Sequence, residues 1–308
     1  MIYTVTLNPA LDRTIVVEKL VEDDTTRILS ETLYAGGKGI DVSRVIRELG
    51  GQSVALGLVG GYDGLNLEGL LINAGVMTDF TRISGETRTN IILKQENTGS
   101  QFMISAAGPQ VSPTEIGQLY QHVLQLQSVD YLVLSGSLPR GVTPNVYGQL
   151  ILAGRKKESF VVLDADGTAL KESIDYQPTF IKPNQFELSR LVGRDLVREE
   201  DILIACEEVH NLGIQYILVS RGKEGLILST DDRKIKAVAP PVQVDSAVGA
   251  GDSVVAGFVL AHSQGKELTE CVRLACAAGT ATAKTPGTEL CHCSEVEEIL
   301  QPVEISNL

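Results

Sequence analysis

Tyr131-Leu132-Val133-Leu134 and Val161-Val162-Leu163 are unbroken apolar runs, and their reading decides the fold. A strand with one wet face alternates apolar with polar residues, whereas a strand covered by helices on both faces does not. Comparable stretches recur at Ile2–Leu7, Ser53–Val59, Thr179–Lys182, Tyr216–Ser220 and Gly225–Ser229. Between them the apolar residues follow the helical period: Val42, Val45, Ile46, Leu49; then Ile116, Leu119, Val123, Leu126; then Ile202, Ala205, Val209, Leu212, closed by Gly213. Strand–helix–strand repetition over short connections predicts an α/β protein with a doubly wound, mostly parallel sheet flanked by helices.

Two stretches break that rhythm. Arg13–Glu18 with Arg27–Leu33, and Asn90–Gln95 with Gln101–Ser105, read as two pairs of short β segments, the second joined by the hairpin connection Glu96-Asn97-Thr98-Gly99-Ser100. They predict a small accessory sheet, which is not stable alone and must pack on the main body or on a second subunit. The expected organisation is one domain over 1–308 with these strands inserted at about 12–33 and 88–106.

Composition excludes several function classes. At 43% hydrophobic and 21% charged the chain can bury a large core, so it is neither disordered nor fibrous. Its net charge of −13 repels phosphate backbones and anionic lipid, which argues against nucleic-acid and membrane-surface partners. An anionic small substrate then requires its cations to be gathered locally. No apolar run is long enough to cross a bilayer and no basic n-region precedes Ile2–Leu7, so the expected compartment is the cytoplasm. Of the five cysteines, Cys206, Cys271 and Cys276 lie in apolar helical patterns and read as buried thiols. Cys291-His292-Cys293 has no second pair at zinc-ligand spacing.

Three segments carry residues that chemistry can use. Val248-Gly249-Ala250-Gly251-Asp252-Ser253 runs straight into Val254-Val255-Ala256-Gly257-Phe258-Val259-Leu260. The glycines free the backbone to curl, and the amides of Gly249, Ala250 and Gly251 gather at the positive end of a helix, which makes an anion site. That helix is apolar on almost every side and is expected to be buried, its N-terminus opening into the crevice beyond the carboxyl ends of parallel strands. Asp252 reads as part of that site or as an N-cap. Ala35-Gly36-Gly37-Lys38-Gly39 leads into the Val42 helix. It is not a Walker loop, because neither Ser nor Thr follows Lys38, and no strand-linked Gly-x-Gly-x-x-Gly occurs. It reads as a close backbone approach to a ligand or as a tight turn with a solvated lysine. Lys182-Pro183-Asn184-Gln185-Phe186-Glu187 sets Asn184 and Glu187 on one helix face, suited to a hydrated Mg²⁺ or, more simply, to a capping box. Asn8-Pro9-Ala10-Leu11-Asp12 and Ser135-Gly136-Ser137-Leu138-Pro139 put small polar groups at strand ends, and each alone reads as a turn.

Together and in this order, these segments resemble the ribokinase-like sugar kinases, the phosphofructokinase B carbohydrate kinase family, over essentially the whole chain. Gly36-Gly37-Lys38-Gly39 and Ser246-Ala247-Val248-Gly249-Ala250-Gly251-Asp252 are similar to that family's two signatures. The Asn8–Asp12 and Ser135–Pro139 segments, Glu86-Thr87-Arg88 and the ending Gly287-Thr288-Glu289-Leu290-Cys291 resemble the branch acting on sugar phosphates: 6-phosphofructokinase, 1-phosphofructokinase and tagatose-6-phosphate kinase. The resemblance implies a small β-sheet lid and phosphoryl transfer from ATP, with fructose 6-phosphate the leading acceptor. It makes Asp252 the base, and the Gly249, Ala250 and Gly251 amides the holders of the transferred phosphoryl charge. Asn184 and Glu187 would order Mg²⁺ through water, and Lys182, Asn184, Ser220, Gly222 and Gly225 would line the ATP side. Asp12, Gly37, Lys38, Asp41 and Ser137 would contact the sugar, and Arg88 and Arg27 the phosphate it already carries. A homodimer through the lid and a K⁺ site through Ser246, Val248 and Gly287 are further implications.

Four positions depart from the family pattern: Asp41 for Asn, Ala247 for Thr, Thr25 for Lys and Glu289 for Arg. Two other readings compete. Gly251-Asp252-Ser253 could serve a hydrolase with Ser253 as nucleophile, which needs a histidine beside it. The chain could also be a non-catalytic sugar-phosphate-binding protein.

Overall fold

The unbroken apolar runs lie at the centre of a wide sheet whose two faces are both covered. The computed structural model describes residues 1–308. Its eleven-stranded sheet runs in the order Glu304–Asn307, Lys234–Val238, Leu226–Ser229, Tyr216–Ser220, Phe180–Ile181, Phe160–Asp164, Tyr131–Ser135, Ile2–Thr6, Ser53–Val59, Met77–Thr78, with Thr81–Arg82 also beside Ser53–Val59. From Met77–Thr78 through Tyr216–Ser220 all neighbours are parallel. The last three strands turn antiparallel.

Successive residues of the central strands enter different cores, because side chains alternate across a strand. Leu132, Leu134, Val161, Leu163, Ile217 and Val219 join one cluster, with helices Pro113–Gln125, Asn145–Lys156 and Glu199–His210. Val133, Val162, Phe180 and Leu218 join the other, against helices Ala250–Ser263 and Leu268–Lys284. Those two helices touch closely: a Cβ on Gly257 would lie 2.9 Å from the Leu274 carbonyl oxygen. Every residue from Asp252 to Ala261 is buried, as the apolar composition of this helix predicts.

Four strands of the main sheet were not foreseen, two of them the two-residue pairings Met77–Thr78 and Thr81–Arg82 beside Ser53–Val59. Lys234–Val238 alternates buried with half-buried residues, and Glu304–Asn307 is a short, mostly exposed edge. Neither carries the apolar run that marks a strand covered on both faces. Thr179–Lys182 shortens to Phe180–Ile181, since Pro183 has no amide to extend the ladder.

The two predicted β pairs form one sheet. Ala10–Val17 pairs antiparallel with Ile28–Gly36 and parallel with Arg88–Gln95, and Gln101–Ile104 completes the order. Thr14 and Lys94 on its inner face lie beside Gly287 of the main body. By register, Asp12, Arg88 and Asn90 share that inner face.

Candidate active site

A crevice opens where the parallel strands end. Asp164 closes the strand Phe160–Asp164, Ser135 leads to Gly136 and Ser137, Thr6 leads to Asn8, and Ile181 leads to Lys182. Ligands of doubly wound sheets bind at such a place.

Helix Ala250–Ser263 points its N-terminus into this crevice. Gly249 caps it with φ 77°, a left-handed conformation that a side chain resists, and no side chain caps the first turn. The first helical bond to Gly249 O comes from Ser253 N at 2.9 Å. The amides ahead of it therefore have no helical acceptor, and the positive end of the helix is open to an anion. Asp252 sits in that first turn, 7% exposed. Burial first, and then the charges of Asp41 and Asp164, hold its carboxyl well above the ordinary range. A carboxylate so placed is a stronger base than a solvated one.

A buried carboxylate organises the cations opposite. Asp164 Oδ1 accepts from Lys38 Nζ at 3.2 Å and lies 3.5 Å from Lys182 Nζ. Burial would raise the Asp164 carboxyl, but Lys182 and Lys38 together hold it low. Its charge holds Lys38 above the normal ammonium value. The Lys182 ammonium rests against Gly251, where a Cβ would lie 3.3 Å from Nζ. One negative group thus fixes two positive ones beside the glycine turn.

The inner face of the small sheet closes the other side. Asp12 Oδ1 accepts from Asn90 Nδ2 at 2.8 Å, and burial raises its carboxyl. Gly36 packs directly on it, since a Cβ there would lie 2.3 Å from Asp12 Oδ2. Asp41, in the first turn of helix Lys38–Glu48, accepts from Arg44 Nη1 at 3.1 Å. Arg88 donates to Ala106 O at 2.7 Å and Asn8 O at 3.0 Å, while its buried Nε has no partner. Asn8 also donates to Ser137 Oγ at 3.3 Å and so ties the mouth of the crevice together.

The remaining predicted residues are distributed unevenly. Asn184 and Glu187 form a reciprocal capping box: Glu187 N bonds Asn184 Oδ1 at 2.9 Å, and Asn184 N bonds Glu187 Oε2 at 2.8 Å. Glu187 Oε1 makes no protein hydrogen bond. Ser220 bridges to Asn184 through the main chain. Gly222 begins a short 3₁₀ turn at φ 57°. Gly225 has a packing reason to be glycine, because a Cβ would meet Ala237 O at 2.0 Å. Arg27 does not reach the crevice of its own chain. It is exposed, seven residues up the ribbon from Tyr34, which pairs with Asp12. At ~3.3 Å per residue the separation is about 23 Å. Ser253, proposed above as an alternative nucleophile, is fully buried, its Oγ bonded to Gly249 O at 3.0 Å and Thr282 Oγ1 at 2.7 Å. No histidine contacts it, which removes the hydrolase reading.

Asp164, Asn90 and Arg44 are the site residues that sequence reasoning missed. Asp164 had a signal, being the polar residue that ends Val161-Val162-Leu163 at a carboxyl edge. Asn90 and Arg44 had none, since they enter through strand register and a helical i,i+3 pair.

Residues 5–294 match the model of the pfkB family carbohydrate kinases. The chain belongs to that family. It is 34% identical to 1-phosphofructokinase of Bacillus subtilis (strain 168) over 310 residues, covering 100% of both chains. It is 35% identical to ATP-dependent 6-phosphofructokinase isozyme 2 of Escherichia coli (strain K12) over 300 residues, covering 97% of both. The crystal structure of phosphofructokinase-2 from Escherichia coli in complex with potassium superposes with a TM-score of 0.92 at 35% identity, covering 97% of this chain and 98% of that one. The kinase therefore has the ribokinase-like fold and is a phosphofructokinase-type sugar-phosphate kinase, an ATP-dependent phosphotransferase. No helix of the kinase is long and apolar enough to cross a membrane.

Proposed function

We propose that the kinase transfers the γ-phosphoryl group of ATP to a hydroxymethyl arm of a ketohexose monophosphate, with Asp252 as general base. The observation that carries this reading is the buried Asp252 carboxyl beside the uncapped amides of Gly249–Gly251, facing two lysines held by Asp164. Asp252 takes the proton of the sugar alcohol as its oxygen attacks; the amides and Lys182 meet the charge on the moving phosphoryl group. Mg²⁺, when bound, would neutralise charge on the phosphates, and Asn184 and Glu187 would hold it through water, Glu187 Oε1 being free to accept. Ser246 Oγ donates to Gly287 O at 2.7 Å and accepts from Val248 N at 3.2 Å, which brings together the three residues of the expected K⁺ site, next in sequence to the buried, unpartnered Thr288 Oγ1.

Arg88 is the cation for the phosphate already on the sugar, its unpartnered Nε aimed from the inner face of the small sheet. Fructose 6-phosphate is the leading acceptor. Fructofuranose carries two hydroxymethyl arms, so fructose 1-phosphate can offer its free arm to Asp252 with its phosphate on the same arginine; relatives support it equally, and tagatose 6-phosphate follows. Both fructose phosphates become the same bisphosphate, and what separates them is whether the reacting arm stands on the carbon that bears the anomeric hydroxyl. Steady-state ADP release with Mg-ATP and each sugar phosphate in parallel tests the reading; no turnover with any of them would end it. For Arg88→Ala we expect the sugar-phosphate KM to rise about 10- to 100-fold, the loss of one charged hydrogen bond. The ATP KM should barely move, and equal changes in both would remove Arg88 from this role.

The small sheet would act as a lid and as the interface of a homodimer. Its outer face carries Ile15, Leu33, Ile91, Leu93, Phe102 and Ile104 by register, with Phe102 46% and Ile104 58% exposed. A face this apolar on a four-stranded sheet needs a cover, and a second copy supplies the same face in return. Arg27, stranded at the tip of its own ribbon, would then serve the second copy's crevice. Phe102→Asp with Ile104→Asp should convert a dimer to a monomer in sedimentation at micromolar protein; a wild-type chain that sediments as a monomer refutes the interface.

A further inference from the structure

Ser253 stands directly after the proposed base, yet its hydroxyl is buried in a polar chain behind the glycine turn. Its Oγ donates to Gly249 O at 3.0 Å, and its amide bonds the same oxygen at 2.9 Å. A hydroxyl has one hydrogen. With that of Ser253 on Gly249 O, Thr282 is the donor in the 2.7 Å contact between Thr282 Oγ1 and Ser253 Oγ. Thr282 Oγ1 in turn accepts from Cys291 N at 3.0 Å. The hydrogens therefore run one way, from Cys291 N through Thr282 and Ser253 to Gly249 O. The chain crosses helices Leu268–Lys284 and Ala250–Ser263 and starts in the stretch ahead of helix Cys293–Leu300. Ser253 and Thr282 are 0% exposed and Cys291 2%. Leu290 closes the space behind the turn, since a Cβ on Gly249 would lie 2.5 Å from its Cδ2.

Hydroxyls buried between apolar helices are costly unless satisfied. Here every link is satisfied, and the chain ends on the one carbonyl whose peptide borders the anion site. That peptide, Gly249–Ala250, is trans, so its carbonyl and its N–H point in opposite directions. Two hydrogen bonds hold Gly249 O on the helix side, which aims the Ala250 N–H out of the helix N-terminus. Hydrogen bonds in a chain polarise one another, so a carbonyl that accepts makes its own amide a stronger donor. We propose that Ser253 and Thr282 are positioning residues for phosphoryl transfer. Their relay fixes and polarises the Gly249–Ala250 peptide, so that the Ala250 amide meets the charge of the phosphoryl group in flight without first reorganising. This rests on the glycine turn being the phosphoryl site of a kinase. Both hydroxyls act through the main chain, and no proton leaves the relay.

Thr282→Val keeps the shape and breaks the relay, and Ser253→Ala removes its last link. Each should lower kcat about 10-fold, the loss of one hydrogen bond, with both substrate KM values level. Thr282→Ser keeps the hydroxyl and should restore most of kcat despite its smaller side chain. A second readout needs no turnover. With the sugar phosphate present, aluminium fluoride, a planar mimic of the transferred group, should tighten ADP binding to the wild type. That tightening should shrink about 10-fold in Thr282→Val and Ser253→Ala and return in Thr282→Ser, with binding of ADP alone unchanged. Either of the first two variants, if it shows a cooperative melting transition, decides the matter. Undiminished tightening in a folded variant overturns the proposal. A loss in Thr282→Ser equal to that in Thr282→Val also overturns it, because packing rather than the hydroxyl would then be responsible. A wild type in which aluminium fluoride tightens nothing would instead overturn the reading of the glycine turn as the phosphoryl site.

Discussion

Asp252→Asn is expected to lower kcat by about 10²–10⁴-fold, the range for losing a positioned general base, while making the protein more stable at neutral pH. The two effects have one origin. The carboxyl is buried and repelled by Asp41 and Asp164, which raises it well above 3.8. A group whose folded value is raised costs stability once the pH exceeds its unfolded value, and the full cost is present above the folded one. Asparagine keeps the shape and removes that cost, so the melting temperature should rise although chemistry is lost. Single-turnover kinetics with calorimetry check both. Near wild-type kcat would remove Asp252 from the reaction, and an unchanged melting temperature would mean that its carboxyl is not under strain.

Asp164→Asn is expected to destabilise the fold by about 3–5 kcal/mol at pH 7. Removing one partner of a buried ionic group strands the other. Asp164 is 1% exposed and Lys182 4% exposed. Because Lys182 and Lys38 hold the Asp164 carboxyl below its ordinary 3.8, its contribution is complete above that value and lost as pH falls through the lower folded one. Lys38 is held above 10.5, so its part is complete below that value and disappears as pH rises through the folded one. Urea unfolding of wild type and variant should therefore differ by a constant amount across neutral pH and converge as the pH falls below 3.8 and through the lower folded value. A difference below about 1 kcal/mol at pH 7 would show that solvent, not Asp164, satisfies the two ammonium groups.

The candidate site was legible where one segment holds both the chemical group and the backbone that aims it. Val248–Leu260 is such a segment: the glycines, the carboxylate and the apolar helix are consecutive, so local rules sufficed. Asn184 and Glu187 were legible for the same reason, and the reciprocal cap predicted by their spacing is present. Arg27 illustrates the opposite. Its charge was visible, but its distance from Asp12 depends on the pairing of Ala10–Val17 with Ile28–Gly36. Asp164, Asn90 and the repulsion of Asp252 by Asp41 were likewise invisible, because each is a relation between elements far apart in the chain.

The parallel core, the buried helix behind Asp252 and the glycine turn ahead of it were determined by the amino-acid sequence alone, since burial on both faces and left-handed backbone are written into consecutive residues. The union of two hairpins into one sheet through the pairing of Ala10–Val17 with Arg88–Gln95, the antiparallel edge at Lys234–Val238 and Glu304–Asn307, and the sharing of Asp164 between Lys38 and Lys182 were decided only by tertiary structure. Strand pairing and charge coupling depend on distances in space, and periodicity along a chain does not contain them.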